Sequence, residues 1–168
     1  METIPPTPHS VTFIRHFQQS THSIADPVLK QPVRACTPGE HYDLIVCSPY
    51  RRCRETAAWI NAATGRDTPI IVDHRLSEFQ GSKRRRSFNL DRSTVNYGPI
   101  PGTDEDWDDC ARRLDSQYAS LQQHAGRRTI LVVTHGVCVR YLKLKLEGKT
   151  TWKRGRDVPF GRGFIVET

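Results

Sequence analysis

The chain has 168 residues, of which 36% are hydrophobic and 26% are charged. This composition excludes a membrane-spanning protein, a fibrous repeat and a chain that is disordered throughout. Its 25 lysines and arginines against 18 acidic residues give a net charge of +7. That surplus favours an anionic partner, which could be a phosphorylated metabolite, a phosphoprotein, a nucleic acid or an acidic surface.

The first part of the chain predicts two strands and a helix. Residues 1–10 contain three prolines and predict a flexible N-terminal lead, so a single domain is expected over residues 11–168. The β-branched segments Val11–Arg15 and Asp43–Cys47 are typical of buried parallel strands, with mostly loop between them. Residues 51–63 predict a helix that stops before a glycine.

The second part of the chain continues the alternation. Pro69–Val72 predicts a third strand, and the basic, turn-rich stretch 77–102 predicts a long loop or a partly helical insertion. Thr103 can cap a helix whose apolar residues recur every three or four positions until about residue 126. Thr129–Thr134 predicts the fourth strand, and residues 136–146 predict the helix that follows it.

The closing segment Phe164–Val166 predicts a fifth strand. Strands that alternate with helices predict an α/β fold, a three-layer sandwich with a mainly parallel central sheet and helices on both faces. In such a sheet, ligands bind beyond the carboxyl ends of the strands. The residues that follow each strand are therefore the candidates for function.

Those residues form a set suited to phosphoryl transfer. The first strand ends in Arg15 and His16, and the second runs into Arg51, Arg52 and Arg54. Arg75 and Glu78 follow the third strand, and His135 follows the fourth. A neutral imidazole is a good nucleophile, and guanidinium groups bind phosphate oxygens in a forked geometry. A protonated carboxyl can give a proton to the leaving oxygen and later take one from water. No metal is needed for this chemistry.

Four segments resemble, in order, the signatures of the histidine phosphatase (phosphoglycerate mutase-like) superfamily; they read VTFIRH, DLIVCSPYRRCRETA, RLSEF and LVVTHG. The resemblance covers nearly the whole chain and implies a phosphoglycerate mutase-like fold. It implies that His16 becomes phosphohistidine, and that Arg15, Arg52 and His135 bind the phosphoryl oxygens. Glu78 would be the general acid and then the base. The resemblance implies no cofactor and no metal.

Two positions depart from the family pattern. Phe17 stands where the family has glycine after the nucleophile, and His22 stands where many members have a phosphate-binding asparagine. The leading hypothesis is a metal-independent phosphatase acting on a phosphomonoester, favoured over a mutase by the short stretch between Glu78 and His135. The alternative is a catalytically weakened module of the same fold that binds phosphate or a protein partner.

Some assignments stay open. Asp73 competes with Glu78 as the acid, and Lys83 and Arg84 belong either to a substrate-contacting segment or to a solvated loop. Several residues beside the motifs are expected to have no catalytic role: Arg51 and Arg54 as solvated helix residues, Cys47 and Cys138 as small hydrophobic residues.

The expected partner is a phosphorylated small molecule or phosphoprotein. Basic residues are concentrated between positions 127 and 162, which makes an acidic protein or a nucleic acid a second candidate partner. Five unpaired cysteines and the lack of a secretory signal predict an intracellular protein, cytoplasmic or nuclear, and no membrane span is expected.

Overall fold

The computed structural model describes residues 10–17, 41–79, 105, 107–126, 128–149 and 158–167. The strands in these residues are β1 (Ser10–Arg15), β2 (Leu44–Cys47), β3 (Ile70–Val72), β4 (Ile130–Thr134) and β5 (Gly163–Glu167). The helices are α1 (Arg51–Thr64), α2 (Trp107–Ala125) and α3 (Gly136–Leu146), with one 3₁₀ turn at His74–Leu76.

The five strands form one sheet in the order β3-β2-β4-β1-β5. Strands β1 to β4 are parallel, and β5 runs antiparallel to β1. In the register of the sheet, Arg15 lies opposite Thr134, and Cys47 lies opposite both Val133 and Val72. The carboxyl ends of the parallel strands therefore meet at one edge, and the predicted α/β fold with a mainly parallel sheet is confirmed.

Side chains alternate between the two faces of the sheet because successive residues of a strand point in opposite directions. Phe13 and Val132 lie in one core cluster with buried residues of α2 and α3, such as Leu114 and Leu142. The opposite cluster joins residues of β1, β2 and β4 to α1 and contains Ile14, Ile45, Leu131, Cys53 and Ile60. Helices therefore cover both faces, which gives the three predicted layers.

Helix α1 ends at Thr64, one residue beyond the predicted end and directly before the expected glycine, because Gly65 adopts a left-handed conformation with φ 64° and donates its N–H to Ala62 O. Three strand starts, at Asp43, Pro69 and Thr129, were predicted one residue too early, and the starts of β1 and β5 were predicted one residue too late. Asp43 and Thr129 precede their strands and bond to each other instead: Asp43 N donates to Thr129 O, and Thr129 N donates to Asp43 Oδ2, both at 2.8 Å. Most of the predicted lead, the predicted cap Thr103 and most of the stretch 77–102 lie outside the described residues.

Strand β5 approaches β1 closely at Gly163. A Cβ atom on this residue would lie 1.5 Å from the carbonyl oxygen of Phe13 and 2.9 Å from the Cα atom of Ile14. The pairing of these two strands therefore requires glycine here, for space and not for an unusual dihedral angle.

Gly163→Ala is expected to force β5 away from β1 and to lower the free energy of unfolding by about 3 kcal/mol, the upper end of the usual overpacking range. Urea denaturation measures the change. Gly65→Ala is the control, because a Cβ there meets no atom within 4 Å and only the left-handed backbone is strained, a cost of about 1–2 kcal/mol. Equal destabilisation by the two substitutions would contradict the steric argument.

Candidate active site

Backbone hydrogen bonds continue the parallel pairing just past the strand ends. His16 N donates to Thr134 O at 2.9 Å, and Ser48 N donates to Val133 O at 3.0 Å. Because His135 directly follows β4, these bonds place His16 and Ser48 on either side of it. The sheet register alone therefore gathers three polar side chains at one edge.

The imidazole of His16 is held in one tautomer. Its Nδ1 atom lies 2.7 Å from the carbonyl oxygen of Phe17, and a carbonyl oxygen can only accept, so Nδ1 carries the hydrogen and Nε2 carries the lone pair. The side chain is buried. Burial, and after it the charge of Arg52, hold the pKa of His16 well below its usual value, with a smaller lowering from Arg15. His16 is therefore a neutral imidazole whose lone pair is on Nε2.

His135 lies between Arg52 and Ser48. Its Nδ1 atom is 3.1 Å from Nη2 and 3.3 Å from Nε of Arg52, and its Nε2 atom is 2.8 Å from Ser48 Oγ. The ring is fully buried and its centroid lies 5.5 Å from that of His16. Burial, followed by the charge of Arg52, also lowers the pKa of His135, so this ring is neutral too.

Aromatic rings and a backbone carbonyl orient the two guanidinium groups. Arg15 Nη1 donates to Val158 O at 2.6 Å, and its Cζ atom lies 3.8 Å from the centroid of the Phe160 ring. The Cζ atom of Arg52 lies 4.6 Å from the centroid of Tyr50. Both guanidinium planes are thus supported on one face, which preserves their edges for hydrogen bonds.

Gly136 lies close to the Arg15 side chain. A Cβ atom at Gly136 would lie 3.2 Å from Arg15 Cδ and 3.3 Å from its Nε atom. A larger residue after His135 would therefore be in tight contact with Arg15, whose side chain would have to shift.

Glu78 lies at the opening of this group of side chains. Its Oε2 atom is 3.5 Å from His135 Nδ1, and its side chain remains 30% exposed. Asp73, the competing carboxylate, is paired with Arg75 at 2.7 Å. Burial raises the pKa of Asp73, but its hydrogen bonds from Arg75 outweigh that effect and lower it overall. Asp73 is thus held as a carboxylate, which favours Glu78 as the acid.

Phe17 occupies the glycine position of the family without strain. Its ring is buried in the core cluster that contains α1 residues, and two of its ring carbons lie 3.2 Å from where a Cβ of Gly161 would be. Its N–H donates to Thr56 Oγ1 at 3.0 Å. No non-glycine residue in the described part of the chain has a positive φ, so the backbone at this position does not require glycine.

The structure brings together five of the sequence-predicted site residues, Arg15, His16, Arg52, Glu78 and His135. The remaining three, His22, Lys83 and Arg84, lie outside the described residues. Of the residues expected to have no catalytic role, Arg51 pairs with Glu55 at 2.5 Å, and Arg54 is exposed. Cys47 and Cys138 are buried, and burial raises the pKa of both thiols to about 11.

The sequence analysis missed several residues that touch this group, among them Tyr50, whose ring centroid lies 4.8 Å from that of His135. Ser48 bonds His135, and the available signal was its place directly after a buried strand, in the motif that also contains Arg52. Phe160 contacts Arg15 and lies 5.4 Å from the His16 ring centroid. No local pattern marks it, because it lies at the other end of the chain.

Part of the C-terminal basic surplus is neutralised within the chain. Lys145 pairs with Asp115 at 2.5 Å, and both Lys143 and Lys149 approach Glu147, at 3.9 and 2.6 Å. Among the described residues, no cluster of three or more His, Cys, Asp or Glu side chains could hold a metal ion, and no helix there is long and apolar enough to cross a membrane.

The sheet and its two imidazoles flanked by guanidinium groups are those of a phosphatase- or mutase-type enzyme. The family model of the histidine phosphatase superfamily (branch 1) matches residues 32–160, so the chain belongs to this superfamily. The matched range contains Arg52, Glu78 and His135 and begins after Arg15 and His16. None of the curated proteins compared with the chain matches it significantly.

Solved structures share the fold. A mycobacterial glucosyl-3-phosphoglycerate phosphatase superposes with a TM-score of 0.65 at 20% identity, covering 92% of this chain and 88% of its own; another structure of it is a complex with VO3. Phosphoglycerate mutase from Bacillus anthracis gives 0.64 at 16% identity, covering 93% and 86%. The alpha-ribazole phosphatase from Shigella flexneri gives 0.60 at 20% identity, covering 83% and 80%.

The two buried imidazoles make stability depend on pH. Their pKa values are lowered in the folded chain, whereas an unfolded histidine titrates near about 6.5. Protons therefore bind the unfolded chain more tightly than the folded chain. Above about pH 6.5 the two histidines are neutral in both states, and as the pH falls below that value their protonation in the unfolded chain lowers the free energy of unfolding. We expect the free energy of unfolding in phosphate-free buffer to decrease from pH 7 to pH 5.

His16→Asn is expected to weaken this pH dependence. His124→Asn, which changes an exposed imidazole on α2, is the matched control and should preserve it. Urea denaturation at each pH measures both. A dependence that is identical in the two variants would show that His16 is not responsible.

Proposed function

We propose that this protein is a metal-independent phosphatase that hydrolyses a phosphomonoester through a phosphohistidine on His16. The observation that carries the proposal is the hydrogen bond from His16 Nδ1 to Phe17 O, 2.7 Å long. It makes Nε2 the nucleophilic atom of a neutral ring, at a site with two guanidinium groups and a carboxyl group.

In the first step, the Nε2 lone pair of His16 attacks phosphorus and the bond from phosphorus to the ester oxygen breaks. Protonated Glu78 gives its proton to that oxygen, so that the alcohol leaves neutral. The products of this step are phosphohistidine, the free alcohol and the Glu78 carboxylate. The retained Nδ1–H bond to Phe17 O stabilises the charged ring of phosphohistidine.

In the second step, a water molecule attacks phosphorus while its proton passes to the Glu78 carboxylate. The bond from phosphorus to Nε2 breaks, inorganic phosphate forms and both side chains return to their starting states. The net reaction is the hydrolysis of one phosphomonoester by one water molecule.

Arg15, Arg52 and His135 are proposed to hold the three phosphoryl oxygens. Their charges and hydrogen-bond donors stabilise the negative charge of the transferring group. When the phosphoryl group is bound, Nδ1 of His135 must donate a hydrogen bond to a phosphoryl oxygen, although in the ligand-free site it accepts one from Arg52. The Ser48 hydroxyl bonded to Nε2 permits both tautomers, because a hydroxyl can donate or accept.

The position of Phe17 supports catalysis over a binding module. The group that orients His16 is a backbone carbonyl, which a side-chain replacement leaves in place, and the ring itself lies in the core. The fold is shared by a glucosyl-3-phosphoglycerate phosphatase and an alpha-ribazole phosphatase as well as by a phosphoglycerate mutase. We propose hydrolysis because the stretch between Glu78 and His135 is short beside the capping insertions of metabolic mutases.

The nucleophile is tested with p-nitrophenyl phosphate and the variant His16→Asn. We expect the full chain to hydrolyse this ester in the presence of EDTA and the variant to lose activity by at least about 10³-fold, since the covalent step is removed. His124→Asn is the control and should remain active. Denaturation of wild type during turnover should trap a phosphoryl group that is labile in acid and stable in base.

Turnover that persists in His16→Asn would contradict the proposed nucleophile. Vanadate or phosphate binding by wild type without turnover of any ester in a broad panel would instead favour the binding module.

The phosphoryl clamp is tested with a matched pair of arginines on α1. Arg52→Met is expected to lower kcat/KM by about 10²–10³-fold, because one charged donor to the transferring group is lost. Arg54→Met, on the exposed side of the same helix, should stay within about twofold, as surface changes usually do. Equal losses in the two variants would show a general effect of charge and contradict a clamp at Arg52.

A further inference from the structure

The segment that carries Glu78 is fixed through its backbone. Four consecutive carbonyl oxygens, from residue 75 to residue 78, each accept a hydrogen bond from a side chain. Thr134 Oγ1 donates to Leu76 O at 2.7 Å, and Cys138 Sγ donates to Ser77 O at 3.3 Å. The first and last carbonyls both bond to Arg113 of α2.

Arg113 spans this segment from end to end. Its Nη1 atom donates to Arg75 O at 2.7 Å, and its Nη2 atom donates to Glu78 O at 3.3 Å. Since an arginine guanidinium is planar and rigid, the two bonds fix the distance between the ends of the segment. Leu76, inside it, is fully buried in the core, so the segment is held on both sides.

The charge of Arg113 is satisfied by Glu105. The carboxylate of Glu105 bonds Nε and, at 2.9 Å, Nη2 of the guanidinium. Their side chains are only 19% and 11% exposed. Burial lowers the pKa of Arg113, but its hydrogen bonds to Glu105 and the neighbouring negative charges together raise it overall, so the group stays charged. A buried, paired cation of this kind does not need a substrate anion.

We propose that Arg113 is a positioning residue that holds the backbone of Glu78 so that its carboxyl reaches the leaving oxygen. This inference rests on the proposed function. Arg113 donates to the backbone of the acid, and phosphate binding is left to Arg15, Arg52 and His135. The effect of replacing Arg113 should therefore depend on how much the leaving group of an ester needs a proton from Glu78.

Leaving-group ability separates positioning from a general loss of structure. The phenolate of p-nitrophenyl phosphate leaves readily without a proton, whereas the alkoxide of glycerol phosphate is a poor leaving group and needs the acid. The parameter to compare is kcat/KM, since it covers the steps up to departure of the alcohol and excludes the later attack by water.

Arg113→Met is expected to lower kcat/KM for glycerol phosphate by about 10²-fold, the lower range of a general acid's contribution, and for p-nitrophenyl phosphate by less than about fivefold. In a Glu78→Gln background the same substitution should change kcat/KM for glycerol phosphate by less than about threefold, because residues that act as a unit are not additive. Arg113→Lys should recover part of the loss.

Two measurements distinguish loss of positioning from misfolding. The first uses Arg112→Met as the matched control, because Arg112 is the adjacent residue on α2 and forms an exposed pair with Asp109. This substitution should leave kcat/KM for both esters unchanged. Vanadate affinity of Arg113→Met should stay within about twofold of wild type, since the phosphoryl-binding residues are unchanged. If this variant does not fold, the same comparison is made with Arg113→Lys.

If kcat/KM of a folded Arg113→Met variant falls equally for both esters, the positioning role is overturned. The same holds if this loss adds fully to the loss caused by Glu78→Gln. Either result leaves the proposed function in place. A wild-type chain that hydrolyses neither ester would overturn the proposed function, and the inference with it.

Discussion

Parallel pairing of β4 with both β1 and β2 is the interaction on which the site depends. The hydrogen-bonded ladder runs one residue past the strands, so that the backbone N–H groups of His16 and Ser48 bond the last carbonyls of β4. These are backbone bonds between buried strands, and they bring His16, Ser48 and His135 together independently of their side-chain contacts. The chemistry of the site is therefore built on sheet register, and side-chain contacts refine it.

The site also concentrates positive charge around two neutral rings. Arg52 is almost fully buried and donates to His135, and its charge opposes protonation of both imidazoles. Burial acts in the same direction. In the proposed reaction, these buried donors receive a phosphoryl group whose negative charge balances the two guanidinium groups. Without a ligand, the same features keep the His16 ring neutral, with the lone pair on Nε2.

The C-terminal segment completes the site from the far end of the chain. Strand β5 packs tightly on β1 at Gly163, and the turn before it brings Phe160 against Arg15 and Gly161 against the Phe17 ring. The ring of Phe17 fills space in the core, while its carbonyl orients His16. The Phe17 ring, which replaces the family glycine, thus packs against a glycine, Gly161, from the other end of the chain.

Much of this could be predicted from local pattern. Runs of β-branched residues indicate buried strands, helical periodicity indicates α2, and a polar residue after each strand indicates the site, because parallel strands end at one edge. The strand ends indicated Arg15, His16, Glu78 and His135 in this way, whereas Arg52 was distinguished from Arg51 and Arg54 by the resemblance to the family motif. The exact first residues of the five strands were not predicted, and each differs by one position. Asp43 and Thr129, for example, precede β2 and β4 because they bond each other.

The sequence by itself determined the order in which strands and helices follow each other along the chain, the α/β class and the residue types at the strand ends. Only the tertiary structure decided which atoms meet: the ring of Phe160 on Arg15, the hydroxyl of Ser48 on His135, and Arg113 on the backbone of Glu78. The physical reason is that these contacts join distant parts of the chain; Arg15 and Val158, for example, are 143 positions apart. Such contacts depend on strand register and side-chain direction, which local periodicity does not specify.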